Sequence, residues 1–69
     1  ADVTVQLFNT NGQLVRTLYD GFKSQGKHAL LWEGIDETGN AVSSGVYLIR
    51  LSIHDVPFVV SERKLLLLK

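Results

Sequence analysis

From Val46 to Ile53 the chain reads Val-Tyr-Leu-Ile-Arg-Leu-Ser-Ile, with an apolar residue at every second position: Tyr47, Ile49, Leu51 and Ile53. Side chains alternate across a strand, so this period of two describes extended chain with one face buried. The opposite face, Val46 and Leu48 with Arg50 and Ser52, is half apolar, as in a strand with neighbours on both sides. No stretch of ten residues or more shows the 3.6-residue period of an amphipathic helix. The chain is therefore confined to β architecture.

Other segments fit the same constraint. Val3, Val5 and Leu7 alternate with Thr4, Gln6 and Phe8, and Asn9-Thr10-Asn11-Gly12 follows. Asn-Gly readily supplies the positive φ angles of a hairpin turn. A second strand is expected over 13–19, where Val15 and Leu18 are three apart and imply a bulge or burial on both faces. Asp20-Gly21 and Gln25-Gly26 bracket a loop, and a third strand over 27–32 aligns His28, Leu30 and Trp32 on one face. Residues 33–40, with three acids and two glycines, mark a surface loop before Ser43-Ser44-Gly45.

Pro57 suits the first position of a strand because it lacks a ladder donor. A last strand is expected over 58–68, with a short helix from Ser61 as the alternative, since Glu, Arg, Lys and Leu favour helix. The four consecutive leucines, 65 to 68, fit neither period and imply burial on two sides. Five or six short strands separated by turn signals predict a single all-β domain over 1–69. The expected fold is a small immunoglobulin-like antiparallel β-sandwich of about five to seven strands. The chain has no cysteine, so the antibody-type disulfide is excluded.

Seven basic side chains balance seven acidic ones. This balance removes the field that draws a protein onto phosphate backbones or anionic lipid, which argues against nucleic-acid and membrane-surface partners. No apolar run approaches the roughly 18 residues of a membrane span, and no secretory leader opens the chain. Methionine is absent, position 1 included, so the 69 residues read as a piece of a longer protein.

Little in the sequence points to catalysis. Ser43, Ser44, His28, His54, Asp36 and Asp55 could furnish a nucleophile, base and acid, but no Gly-x-Ser-x-Gly elbow organises them. No catalytic, cofactor or metal residues are assigned. His28 is expected at the edge of the core, because zinc wants three or four ligands at spacings not found here. Asp36-Glu37-Thr38-Gly39-Asn40 offers oxygens to calcium but lacks the alternating acids of an EF-hand loop, so a solvated turn is expected. Trp32 is expected to plug the core rather than stack on a sugar, and the Tyr47 hydroxyl to tie a loop to the body of the domain.

Three phrases together carry a family resemblance. They are Val5-Gln6-Leu7-Phe8-Asn9 running to Gly12 and Val15-Arg16-Thr17-Leu18, then Gly26-Lys27-His28 to Trp32-Glu33-Gly34, then Ser44-Gly45-Val46-Tyr47 with the ending Lys64-Leu65-Leu66-Leu67-Leu68-Lys69. Their order resembles the type A carboxy-terminal sorting domain of the type IX, or Por, secretion system. The core is also similar to the immunoglobulin-like domain of the flagellar hook-capping protein, which shares the Trp-x-Gly and Ser-Gly-x-Tyr phrases. The Lys- and Leu-rich ending favours the sorting domain.

That resemblance implies a non-enzymatic tail on a cargo protein. Its partners would be the outer-membrane translocon and a sortase-like surface peptidase, and its destination the cell surface or medium by way of the periplasm. It assigns the signal to Gly45, Tyr47, Lys64, Leu65, Leu66, Leu67, Leu68 and Lys69. The family pattern has Asp where Glu33 stands and begins with an upstream strand not included here. An open sheet edge would then await strand pairing, a dimer contact or the parent protein.

Overall fold

A computed structural model describes residues 1–24, 30–55 and 57–69. Four antiparallel strands form one sheet: β1 (Asp2–Phe8), β2 (Leu14–Phe22), β3 (Gly45–Ile53) and β4 (Val59–Leu67), in the order β2-β1-β3-β4. The described residues are thus all β, but they make a single sheet rather than the expected sandwich. Residues 30–32 of the expected third strand are not in strand conformation, and His28 with the rest of that segment lies outside the described residues.

Register decides which side chains meet. Val3, Val5 and Leu7 lie opposite Ile53, Leu51 and Ile49, and Tyr47 lies opposite Leu65. One face therefore collects the alternating apolar residues of three strands. Leu7 is fully buried and Val3, Val5, Val15 and Tyr47 nearly so. Burying one such leucine stabilises the fold by about 1.5–3 kcal/mol.

The β1–β2 hairpin shows how local chemistry shapes the sheet. Its loop spans five residues, and the side chain of Asn9 organises it by accepting from the backbone N–H groups of Asn11 and Gln13, both at 3.0 Å. Only Gly12, at φ 81°, takes a positive φ, so the Asn-Gly pair does not build a two-residue turn here. The Asn9 side chain adds to the backbone turn, in which the Gly12 amide donates to the Asn9 carbonyl and the Asn9 amide to the Gln13 carbonyl, both at 3.0 Å.

β2 carries the irregularity expected of it. Val5 pairs with Tyr19 and Gln6 with Thr17, while Leu7 pairs with Arg16 and Phe8 with Leu14. Leu18 and Val15 are the extra residues, and each bulge resets the alternation so that both reach the core. The strand runs on through Asp20 and Gly21 to Phe22, where a loop was expected, because Ala1 and Lys23 continue the ladder with reciprocal bonds of 3.1 and 3.0 Å.

β3 and β4 pair without a shift from Gly45–Leu67 to Ile53–Val59. The terminal segment is therefore strand, and the helical alternative from Ser61 is excluded. Two-sided burial of the leucines is also corrected. Leu65 and Leu67 pack on the core, whereas Leu66 and Leu68 are 61% and 78% exposed. β4 is an edge strand whose residues 59–64 are exposed on both faces, and only over 65–67 does burial alternate, Leu65 and Leu67 inward and Leu66 outward.

Candidate functional site

The residues singled out in the sequence converge where β3 begins and β4 ends. Gly45 faces Leu67 and Tyr47 faces Leu65 across the ladder. Tyr47 is 6% exposed, and its ring meets Trp32 edge-on with centroids 5.1 Å apart and planes at 71°. Each polar tip has a backbone acceptor: the Tyr47 hydroxyl donates to the Ser43 carbonyl at 2.5 Å and Trp32 Nε1 donates to the Ile35 carbonyl at 2.8 Å. The two aromatics act as a plug with both polar ends satisfied, which is the expected role for each.

Segment 32–44 clamps the end of β4 against this plug. Gly34 takes φ +72°, and a Cβ there would sit 3.5 Å from Leu67 and 3.6 Å from the Lys69 stem. The Val42 amide donates to the Gly34 carbonyl at 3.0 Å, closing the segment on itself. Lys69 is then held twice, its backbone N–H donating to Ser44 Oγ at 3.1 Å and its ammonium donating to the Val42 carbonyl. Lys64, by contrast, is exposed on the outer face opposite Leu48.

Beyond the clamp, β4 turns charges outward. Arg50 donates to one carboxylate oxygen of Glu62 through Nε at 3.2 Å and Nη2 at 3.1 Å, and lies over the Phe8 ring at 4.5 Å. Sequence inspection missed this group, because its members come from three strands and meet only once the register is set. Both charged side chains are more than a third exposed, so the pair contributes at most about 1 kcal/mol.

Of the described side chains considered for catalysis, those flanking β3 remain apart. Ser43 and Ser44 precede β3 while His54 and Asp55 follow it, and nine strand residues put roughly 27 Å between the two ends. His54 Nε2 bonds Thr4 Oγ1 at 2.9 Å, and its ring meets Phe58 edge-on at 5.2 Å. Among the described residues no group of three or more His, Cys, Asp or Glu is placed to hold a metal ion.

Asp36 organises its own loop. Its Oδ1 accepts from the Thr38 hydroxyl at 2.6 Å, the Thr38 amide at 2.9 Å and the Asn40 amide at 3.0 Å. These bonds, led by the Thr38 side chain and then the Asn40 backbone, hold its pKa below the ordinary 3.8. The loop also straps β2: the Glu37 amide donates to the Val15 carbonyl at 3.1 Å, the Thr17 amide donates to the Glu37 carboxylate, and Arg16 donates to the Asp36 carbonyl at 2.8 Å.

The far half of the core face is more open. Val3, Val5, Ile49, Leu51 and Ile53 line a concavity of about 700 Å³, with Lys23, Asp55 and Arg63 also on its wall.

Fold and site together describe a small β domain of immunoglobulin-like kind, whose distinctive residues hold its own frame. The FlgD Ig-like domain family matches residues 1–55, and the chain belongs to that family. The matched residues contain β1, β2 and β3 and stop before β4. Comparison with curated proteins and with solved structures returns no match.

Proposed function

We propose that this domain is a non-catalytic, immunoglobulin-like structural module, either hook-cap-like or a spacer beside a catalytic domain of the same protein. The observation that carries the proposal is the employment of its chemically capable side chains. Tyr47, Trp32, His54 and Asp36 each bond another group within the domain, and Arg50 is held between Phe8 and Glu62. Sugar stacking gains nothing from Trp32 and Tyr47, whose rings pack against each other. What remains for partners is shape, the outer face, the sheet edges and the open concavity on the core face.

A second reading rests on β4. Residues 59–67 lie outside the family match, and the segment ending in Lys69 resembles the terminal signal of type IX cargo. In that reading the translocon reads the outer side of β4, a surface peptidase processes the tail, and the cargo lies amino-terminal to this domain.

One experiment separates the two. Residues 1–69 are fused to the carboxy end of a reporter that carries its own secretory leader and expressed in a bacterium that has the secretion system. A structural module leaves the reporter in the periplasm, and a sorting domain carries it outside. Leu66→Ala and Lys64→Ala, at exposed positions, should leave the fold intact, so lost export with unchanged urea unfolding would isolate a signal.

A further inference from the structure

The two edges of the sheet are treated differently. β2 has two bulges and the Glu37 strap, which takes up the Val15 carbonyl and the Thr17 amide. Bulges and a covering loop are the usual means of blocking further strand pairing. β4 has neither. It is nine residues long, free of proline and unshifted against β3, and among the described residues no other segment bonds the backbone of its outer edge.

The geometry points to a second copy of this chain as the partner of that edge, in an antiparallel β4–β4 pair about a two-fold axis. Because Arg63 is the middle residue of Val59–Leu67, only the register that sets Arg63 opposite the partner's Arg63 pairs all nine residues. That register is also complementary in charge and apolarity. Glu62 then faces the partner's Lys64, and Val60 faces the partner's Leu66, each pair occurring twice on the outer face. Val60 and Leu66 are 48% and 61% exposed in the single chain, so pairing would cover them.

Arg50 engages only one carboxylate oxygen of Glu62, leaving the other to accept from the partner's lysine. Arg63 against its own copy is the one opposing contact, and its removal should tighten the pair. The assembly closes at two chains, because both outward edges are then strapped β2 strands. The product is an eight-stranded sheet.

The chain has no cysteine, so single cysteines report the register cleanly. Opposed residues in an antiparallel pair have Cα atoms about 4.5–5.5 Å apart, within disulfide range, whereas residues displaced by four positions are about 13 Å apart and outside it. The full chain carrying Arg63→Cys should cross-link under mild oxidation at least tenfold faster than Ser61→Cys or Leu65→Cys. Sedimentation equilibrium of the unmodified chain should show a monomer–dimer equilibrium by the millimolar range. Glu62→Lys should weaken that dimer about tenfold, and Glu62→Lys with Lys64→Glu should restore it.

Circular dichroism checks that each variant is folded, and the cysteine series does not depend on the charge variants. Equal cross-linking at all three positions, a wild-type chain that stays monomeric, assemblies larger than two, or no rescue by the double exchange would each overturn the inference.

Discussion

Replacing the four terminal leucines one at a time with alanine tests the structure's account of them. Leu65 and Leu67 pack against the core made by Leu7, Val15 and Tyr47, while Leu66 and Leu68 are 61% and 78% exposed. Truncating a largely buried leucine costs about 2 kcal/mol at the lower end of the usual range, and truncating an exposed one about 0.5 kcal/mol or less. A domain of this size has only about 3–5 kcal/mol of stability from a single core, so either inward substitution removes roughly half of it. With a urea dependence near 1 kcal/mol per molar, the midpoint falls by about 2 M for Leu65→Ala and Leu67→Ala. It stays within about 0.5 M for Leu66→Ala and Leu68→Ala. Trp32 is the sole tryptophan and abuts Tyr47, so its fluorescence reports the transition from inside the core. Equal shifts at all four positions would refute the alternating placement, and with it the assignment of β4 as a half-exposed edge.

Other measurements reach the plug, the loop and the turn. Tyr47→Phe keeps the ring but leaves the Ser43 carbonyl without its donor, and should cost about 1 kcal/mol in urea unfolding. Asp36 should titrate below 3.8 in a carboxyl-carbon NMR titration. A depressed folded pKa means that its contribution is fully present above the unfolded value and is lost as pH falls through the folded one, so the loop should loosen only below pH 3.8. Asp36→Asn should remove that acid-range step. Gly12→Ala, at φ 81° with open space around it, should cost about 1 kcal/mol through backbone strain alone.

Much of this fold was legible wherever one face of a strand is buried. Val3, Val5 and Leu7, and Tyr47 through Ile53, show an alternation that needs no tertiary information, and Val15 with Leu18 announced the irregular strand. The leucine run was opaque because consecutive identical residues have no period. Only pairing with β3 tells Leu65 and Leu67 from Leu66 and Leu68. Lys69 is similar: the family resemblance assigned it to the signal, and nothing along the chain showed that Ser44 and Val42, far away in sequence, hold it. Glu62 and Arg50 gave no sign of pairing, since cross-strand neighbours follow from register and not from spacing along the chain.

The sorting reading and the paired-edge inference both depend on the terminal segment being a strand of this sheet. Cross-strand nuclear Overhauser effects in the isotopically labelled chain test that most directly. Contacts should place Leu51 opposite Ser61, Ile49 opposite Arg63 and Tyr47 opposite Leu65. Helical contacts between residues three apart from Ser61 onward, or no contact between the two segments, would contradict it.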